Sequence, residues 1–241
     1  MDKKNLIFVG VRSMMHPLIK TAKLCGFNVI GILDQYYYGN TDQVDGVPII
    51  GSELEINDEW KETCSFFVSS FWDGRQFNPK LGLDNEQVRK DRIDLVESLN
   101  LNLINIIHPD TSYTWGTESV ELGHGIFISG AVHIAHDVKI GNHVLIDWGS
   151  MIYSHSYIET NASLGIGSRI GCCTIKENAR IGPHAILIPL REKNMLNGHA
   201  HQIVGKNSVV WVNSHLYNSV PDDSVYTMHG KILSRGKIKN K

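Results

Sequence analysis

The sequence has no long apolar run and no excess of charge of one sign. No stretch approaches the ~20 consecutive apolar residues of a membrane helix, and Met1–Lys4 leads directly into a strand-like segment without the apolar core of a signal peptide. The formal net charge is -2 and 20% of the residues are charged, whereas a nucleic-acid surface usually has a strong basic excess. These absences predict a cytoplasmic protein that binds neither a membrane nor nucleic acid.

Cysteine is also scarce, and its spacing shows no disulfide framework. The chain has four cysteines, of which Cys25 and Cys64 stand alone and Cys172 and Cys173 are adjacent. The adjacent pair falls within the repeat described next, where small inward residues are expected. We therefore expect reduced thiols that serve as packing residues.

The second half of the chain lacks both helical and alternating periodicity and has a period of six instead. Every sixth residue is aliphatic, with one shortened step near Gly171: Leu122, Ile128, Ile134, Ile140, Ile146, Ile152, Ile158, Leu164, Ile170, Ile175, Ile181 and Leu187. A second column, four residues behind the first, is small or β-branched: Val132, Val138, Val144, Ser150, Ser156, Ala162, Ser168, Ala179 and Ala185. This pattern is typical of a parallel β-helix built from hexapeptides, in which three faces close a coil of about eighteen residues.

Glycine and asparagine recur between the predicted faces. We expect them to adopt positive φ at the turns: Gly141, Asn142, Gly149, Asn161, Gly165, Gly171, Asn178 and Gly182.

The first hundred residues predict a small α/β domain. An apolar run at residues 5–9 ends at Gly10, a helical pattern follows, and a second apolar run ends at Asp34. This order, with an acid about 20 residues after the glycine, is that of a nucleotide-binding βαβ unit. The turn after Gly10 lacks the further glycines of a phosphate loop, so a βαβ unit that binds nothing remains an alternative. The candidate substrate-binding residues are Gly10, Ser13 and Asp34.

Further elements complete this domain. A strand is predicted at residues 65–69, a helix from Asn85 to Leu99, and a last strand from Leu103 to Ile107. The predicted boundaries are 1–108 for a Rossmann-like domain and 109–241 for the β-helix with a C-terminal tail.

One long interruption breaks the hexapeptide count, from Leu190 to Gln202. Loops that project from such scaffolds often carry binding function. The segment contains His199 and His201, whose spacing is a weak signal for a metal site, and no metal is expected.

With these features, the chain resembles the sugar O- and N-acyltransferases of the sialic-acid O-acetyltransferase and bacillosamine N-acetyltransferase type. The resemblance covers essentially the whole chain and is clearest in Leu6–Asp34, Ile106–Pro109, Gly125–Gly141 and Val204–Val210. It implies a Rossmann-like domain for a nucleotide sugar, a left-handed β-helix that binds acetyl-CoA, and a homotrimer.

The family's active site has a histidine followed by an acid on one coil, the histidine acting as base. Counted from Ile152, these positions are Ser154 and His155 here. Either His155 still reaches the acyl site or the usual pair is absent. The ending Met228–Lys231 also differs from the family's usual Gly-x-Pro-Ala-Lys type.

Acyl transfer needs a base near the nucleophile, and an imidazole with an unperturbed pKa of about 6.5 suits that role. We predict His155 as the base, with Ser154 as the rival reacting group. The acyl-CoA is expected near Gly167 and Gly171, whose N–H groups would stabilise an oxyanion. Its phosphates are expected near Arg169, Arg191 and Lys193.

Two other functions remain open from the sequence alone. A non-catalytic trimer would keep the fold without the chemistry, since the departures cluster at the expected site. A zinc enzyme of the β-helical carbonic-anhydrase type would use three histidines from a set on neighbouring coils: His124, His133, His136 and His143.

Overall fold

The computed structural model describes residues 4–11, 15–69, 77–78, 83–188, 195–196 and 199–235. The chain forms two units, Met1–Ile107 and His108–Lys241. No helix in the described part of the chain is long and apolar enough to cross a membrane.

The first unit is built on a mainly parallel sheet. The sheet consists of β1 (Asn5–Val9), β2 (Asn28–Leu33), β3 (Gln43–Val44), β4 (Val47–Gly51) and β5 (Cys64–Val68). The unit also has a separate antiparallel pair, β6 (Phe77–Asn78) and β7 (Leu83–Asp84), and the short strand β8 (Ile106–Ile107). Its helices are α1 (Met15–Leu24), α2 (Asp58–Thr63) and α3 (Asn85–Ser98), with a 3-10 turn at Glu53–Glu55.

The order of the sheet is β3-β4-β2-β1-β5, and only β3 is antiparallel to its neighbour. Ile7, Val9 and Phe66 of the sheet form one apolar core with Ile93 and Val96 of α3. The predicted strand–helix–strand order and the helix from Asn85 are confirmed.

The predicted last strand is shorter than expected. Only Ile106–Ile107 is a strand, and it does not belong to the sheet of the first unit, whereas Leu103 makes a single bridge to Phe66.

The second unit is a parallel β-helix with three faces, as predicted. Face 1 consists of β10 (Val120–Leu122), β13 (Val138–Ile140), β16 (Ser156–Ile158), β19 (Cys173–Ile175) and β24 (Gln202–Val204). Face 2 includes β11 (Phe127–Ile128), β14 (Leu145–Ile146), β17 (Ser163–Leu164), β20 (Arg180–Ile181), β25 (Val209–Val210), β27 (Ser224–Tyr226) and the antiparallel β28 (Ile232–Ser234). Face 3 consists of β9 (Ser112–Tyr113), β12 (His133–Ile134), β15 (Met151–Ile152), β18 (Arg169–Ile170), β21 (Ile186–Leu187) and β26 (His215–Leu216). A 3-10 turn lies at Thr117–Ser119, and β22 (Met195–Leu196) and β23 (His199–Ala200) form an antiparallel hairpin.

The two sequence columns form the core of this unit. From Ile128 to Leu187 the aliphatic column is at most 2% exposed, and the small column is at most 1% exposed from Val132 to Ala185. Leu122 is 37% exposed because β10 is the terminal strand of face 1 and has a strand on one side only. The shortened step is confirmed by the register, since Ile140 pairs with Ile158 but Ile158 pairs with Ile175, one residue fewer.

The glycines of the turns serve two different purposes. Gly149 has positive φ, as do Asn161 and Asn178. The other predicted positions, Gly141, Asn142, Gly165, Gly171 and Gly182, do not, so the expectation of positive φ is wrong for them. At Gly141, Gly165 and Gly182 a Cβ would lie 2.8, 2.7 and 2.6 Å from a backbone nitrogen of the next coil, so these glycines are required for the close approach of successive coils.

Candidate active site

The corners of the β-helix are formed by residues with positive φ. They recur at every sixth position with one step of five: Gly125, Ala131, Asp137, His143, Gly149, His155, Asn161, Gly167, Cys172, Asn178 and His184. Because three corners make one coil, every third member of the series lies at the same corner. Asp137, His155 and Cys172 therefore stack in three successive coils, and we call this stack the site corner.

At the site corner an imidazole meets a carboxylate. His155 Nδ1 contacts Asp137 Oδ2 of the preceding coil. The side chains of His155 and Asp137 are 34% and 43% exposed, so solvent and small molecules reach them. A neutral imidazole in this arrangement carries its proton on Nδ1, and Nε2 is then the basic nitrogen.

The adjacent residues form a second contact between the same two coils. Ser154 Oγ lies 2.9 Å from His136 Nδ1. The rings of His136 and His155 meet edge to face with centroids 5.6 Å apart, and Trp115 packs edge-on against His136 at 4.6 Å. The sequence therefore does contain a histidine–acid dipeptide, His136–Asp137, but the carboxylate of Asp137 contacts His155 of the next coil.

Residues of the following coils border the site corner. The Cys172 N–H donates to the carbonyl of Ser154 at 3.2 Å, and burial raises the pKa of the Cys172 thiol. His201 Nε2 lies 2.8 Å from Thr174 Oγ1. Burial lowers the pKa of His201 and the nearby His155 lowers it further, which favours the neutral form of His201.

The adjacent cysteines differ in role, contrary to the expectation that both pack inward. Cys173 is fully buried, and burial raises its pKa to about 12. Cys172 is partly exposed at the corner. The positive φ of Cys172 places it in the turn rather than in the inward column.

Gly167 and Gly171 do not fit the predicted oxyanion role. The Gly167 N–H donates to Trp148 O and the Gly171 N–H to Leu187 O, each at 2.9 Å. Both donors are therefore used by the coils. Gly167 also belongs to another corner of the series, and Arg169 projects from face 3.

Two of the three predicted substrate residues, Gly10 and Asp34, lie in the described part of the first unit. Gly10 follows β1 with φ 94, its N–H donates to Leu33 O, and its carbonyl accepts from the Ser69 hydroxyl. The third, Ser13, lies outside the described residues.

The carboxylate of Asp34 is buried and hydrogen-bonded to other groups of the protein, so it is not part of an open ligand site. Its side chain is 1% exposed, and Oδ2 accepts from the Val11 N–H at 2.7 Å and from Arg92 Nη2 at 2.8 Å. Oδ1 accepts from the Tyr36 N–H, and Arg92 Nε also donates to Glu53. We therefore revise the predicted ribose contact: Asp34 is a buried anchor that joins β2 to α3.

The loop prediction falls mostly outside the described residues, which include neither Arg191 and Lys193 nor the side chain of His199. Along the chain, the segment lies between β21 of face 3 and Ile203 of face 1.

The four histidines considered for zinc do not form one cluster, since His133 and His136 lie apart from the pair His124 and His143. Both ring nitrogens of His133 contact hydroxyls, those of Ser112 at 2.9 Å and Thr114 at 2.8 Å. His124 and His143 pack edge to face at another corner, and His136 belongs to the site corner.

Sequence reasoning missed Asp137 because it looked for the acid beside His155 in the chain. The sequence does contain a signal for this contact. Asp137 precedes His155 by three hexapeptides, which is the length of one coil, so the two residues stack at the same corner.

Comparison with known proteins places this geometry in a familiar fold. No family model matches the chain. One curated relative, an acyl-[acyl-carrier-protein]–UDP-N-acetylglucosamine O-acyltransferase from Agrobacterium fabrum, is 30% identical over 101 residues, which are 39% of this chain and 35% of that protein. The chain thus matches about a third of the length of this relative.

Solved structures match nearly the whole chain. The acetyltransferase domain of PglB from Neisseria gonorrhoeae, in complex with acetyl coenzyme A, has a TM-score of 0.76 at 18% identity, covering 96% of this chain and 100% of that one. A GDP-perosamine N-acetyltransferase variant from Caulobacter crescentus, in complex with CoA and GDP-perosamine, has a TM-score of 0.74 at 20% identity over 95% and 97%. WeeI from Acinetobacter baumannii has a TM-score of 0.71 at 16% identity over 95% and 99%. The chain therefore has the fold of these three proteins, which confirms the resemblance at the level of the fold and fits a left-handed β-helix.

Proposed function

We propose that this protein transfers an acetyl or similar short acyl group from acyl-CoA to an amino or hydroxyl group of a nucleotide-linked sugar. The observation that carries the proposal is the contact of His155 with Asp137 at a partly exposed corner of the β-helix. Neighbours of the same fold were solved with CoA, acetyl coenzyme A or GDP-perosamine bound, which supports these two substrate classes.

His155 is the general base in this proposal. An ammonium or hydroxyl must lose a proton before it attacks a thioester. Asp137 orients the ring through Nδ1 and stabilises the imidazolium that forms, and Nε2 accepts the proton. The nucleophile bonds to the thioester carbon, the C–S bond breaks, and the proton held by His155 is available to the departing CoA thiolate.

Ser154 and His136 support that base in the proposal. The Ser154 hydroxyl holds His136 at 2.9 Å, and His136 packs edge-on against His155. This packing limits the rotation of the His155 ring, so Ser154 is a positioning residue rather than the reacting group.

The first unit is proposed to bind the nucleotide sugar as a Rossmann-like domain. In the sheet, β1 lies between β2 and β5. The chain runs from β1 to β2 and β4 on one side and then crosses to β5 on the other side, so the strand order reverses between β1 and β5. Ligands of open parallel sheets bind outside the carboxyl ends of strands at such a point, where Gly10 and Ser69 lie. Ser13 remains a predicted contact.

For the acyl donor, Arg169, Arg191 and Lys193 remain predicted phosphate contacts. A homotrimer remains part of the proposal, as does cytoplasmic location. Apolar side chains exposed on the β-helix, such as Trp148 at 58% and Trp211 at 46%, support burial against other copies of the chain.

The test is release of free CoA thiol from acetyl-CoA in the presence of nucleotide-linked amino sugars, beginning with GDP-perosamine. We expect acceptor-dependent thiol release by the wild-type protein. Calorimetry without acceptor should detect acetyl-CoA binding. Absence of both binding and turnover across the acceptor panel would contradict the proposal and favour the non-catalytic trimer.

A further inference from the structure

Face 1 of the β-helix carries an open groove, which Tyr157 of β16 lines on the side nearest the site corner. The strands of face 1 start directly after corner residues, so β13 follows Asp137 and β16 follows His155. The outward residue of β16 is Tyr157, two residues from His155. At about 3.3 Å per residue in a strand, its Cα lies about 7 Å from that of His155.

Tyr157 joins the site corner to the groove. Its ring faces that of His201 at 6.1 Å between centroids with an interplanar angle of 39°. In the register of face 1 it lies between Lys139 of β13 and Thr174 of β19. Tyr157 also lines a groove of about 570 Å³, together with Gly123, Gly141 and Thr160 of the neighbouring turns.

The groove is lined by paired charges. Its three carboxylates each contact a lysine: Glu121 with Lys139, Glu159 with Lys176 at 2.8 Å, and Glu177 with Lys206 at 2.6 Å. Lys139 is paired with Glu121 at 2.8 Å, and the Glu121 carboxylate, with a smaller contribution from the Tyr157 phenol, raises the pKa of Lys139. The groove therefore has no excess of negative charge, and its paired carboxylates and ammonium groups offer acceptors and donors to the hydroxyl and amino groups of a sugar.

We propose that this groove is the subsite for the sugar ring of the acceptor, with Tyr157 as its stacking platform. The inference rests on the proposed function, because it places the sugar ring of the acceptor on face 1, next to the proposed base His155. The apolar side of a sugar ring packs against the face of Tyr157, while its hydroxyls bond to the carboxylates of the groove. The amino or hydroxyl group to be acylated then points toward His155 at the start of the same strand.

Tyr157→Ala tests this assignment through the two Michaelis constants. We expect the KM for the acceptor that the wild type uses to rise at least 10-fold, while the KM for acetyl-CoA stays unchanged. Tyr157→Phe should stay within about 3-fold of wild type, because the ring remains. Tyr217→Ala removes another exposed aromatic ring, 58% exposed and next to β26 of face 3, and serves as the matched control.

The outcomes separate the two claims. If the wild type turns over the acceptor but Tyr157→Ala leaves the KM for the acceptor unchanged, the sugar subsite is overturned and the proposed function stands. An equal rise in the KM for acetyl-CoA also overturns it, because the groove would then hold the donor. A wild type without acetyl-CoA binding or turnover overturns the proposed function, and the subsite with it.

Discussion

Individual residues at the site corner adopt the backbone conformation of a turn and also bring their side chains into contact. Asp137 and His155 adopt φ of 51° and 56°, a conformation that costs most L-residues about 1–2 kcal/mol. Ala131, His143 and His184 adopt the same conformation at other corners. The unusual backbone is therefore a property of the fold, and the functional signal is the side-chain contact between Asp137 and His155.

Asp137→Asn tests the residue-scale account of the dyad. An amide cannot stabilise the imidazolium, so we expect kcat to fall about 10²–10⁴-fold with little change in acetyl-CoA affinity. Ser154→Ala should cost less, about 10-fold or below, since only the support of His136 is lost. A greater loss in Ser154→Ala than in Asp137→Asn, measured by thiol release under identical conditions, would assign the chemistry to the hydroxyl.

At the scale of elements, a ladder of amides joins the coils at a different corner. Asn161 Nδ2 donates to Asn178 Oδ1 at 2.6 Å, Asn178 Nδ2 to Asn207 Oδ1 at 3.1 Å, and Asn207 Nδ2 to Asp223 Oδ1 at 3.0 Å. All four of these residues have positive φ, which asparagine and aspartate tolerate well. Each rung thus stabilises both the turn and the stacking of successive coils.

Asn178→Ala should destabilise the β-helix by about 2–3 kcal/mol, because it loses the side-chain hydrogen bonds with Asn161, Glu177 and Asn207 and strains the turn. Asn178→Gly should cost about 1–2 kcal/mol, because glycine accepts the backbone conformation. Urea unfolding of both variants measures the difference. Equal losses in the two variants would show that backbone strain contributes nothing at this corner.

The elements also show what the sequence can and cannot predict. The aliphatic and small columns predicted the β-helix and its shortened step because each hexapeptide must fill the same narrow interior. The partner of His155 was not predicted because Asp137 comes from the preceding coil, and a search along one coil misses such contacts. Asp34 had the spacing of a ribose-binding acid, yet Arg92, from a helix far along the chain, takes its carboxylate.

At the scale of the whole molecule, the proposed homotrimer governs how the exposed apolar side chains are covered. Sedimentation equilibrium at micromolar concentration should give about three times the chain mass of 27.0 kDa. A species of 27.0 kDa would contradict the trimer and require the acyl-CoA site to lie within one chain.

The central claim is that His155 is the base of an acyl-CoA-dependent transferase, and His155→Asn tests it most directly. Asparagine keeps a polar side chain that suits positive φ, so the fold and acetyl-CoA binding should remain. In a single-turnover experiment with saturating acetyl-CoA and the preferred nucleotide-linked amino sugar, we predict that the rate of acetyl transfer falls about 10²–10⁴-fold. An unchanged single-turnover rate in a variant that binds acetyl-CoA normally would contradict the claim.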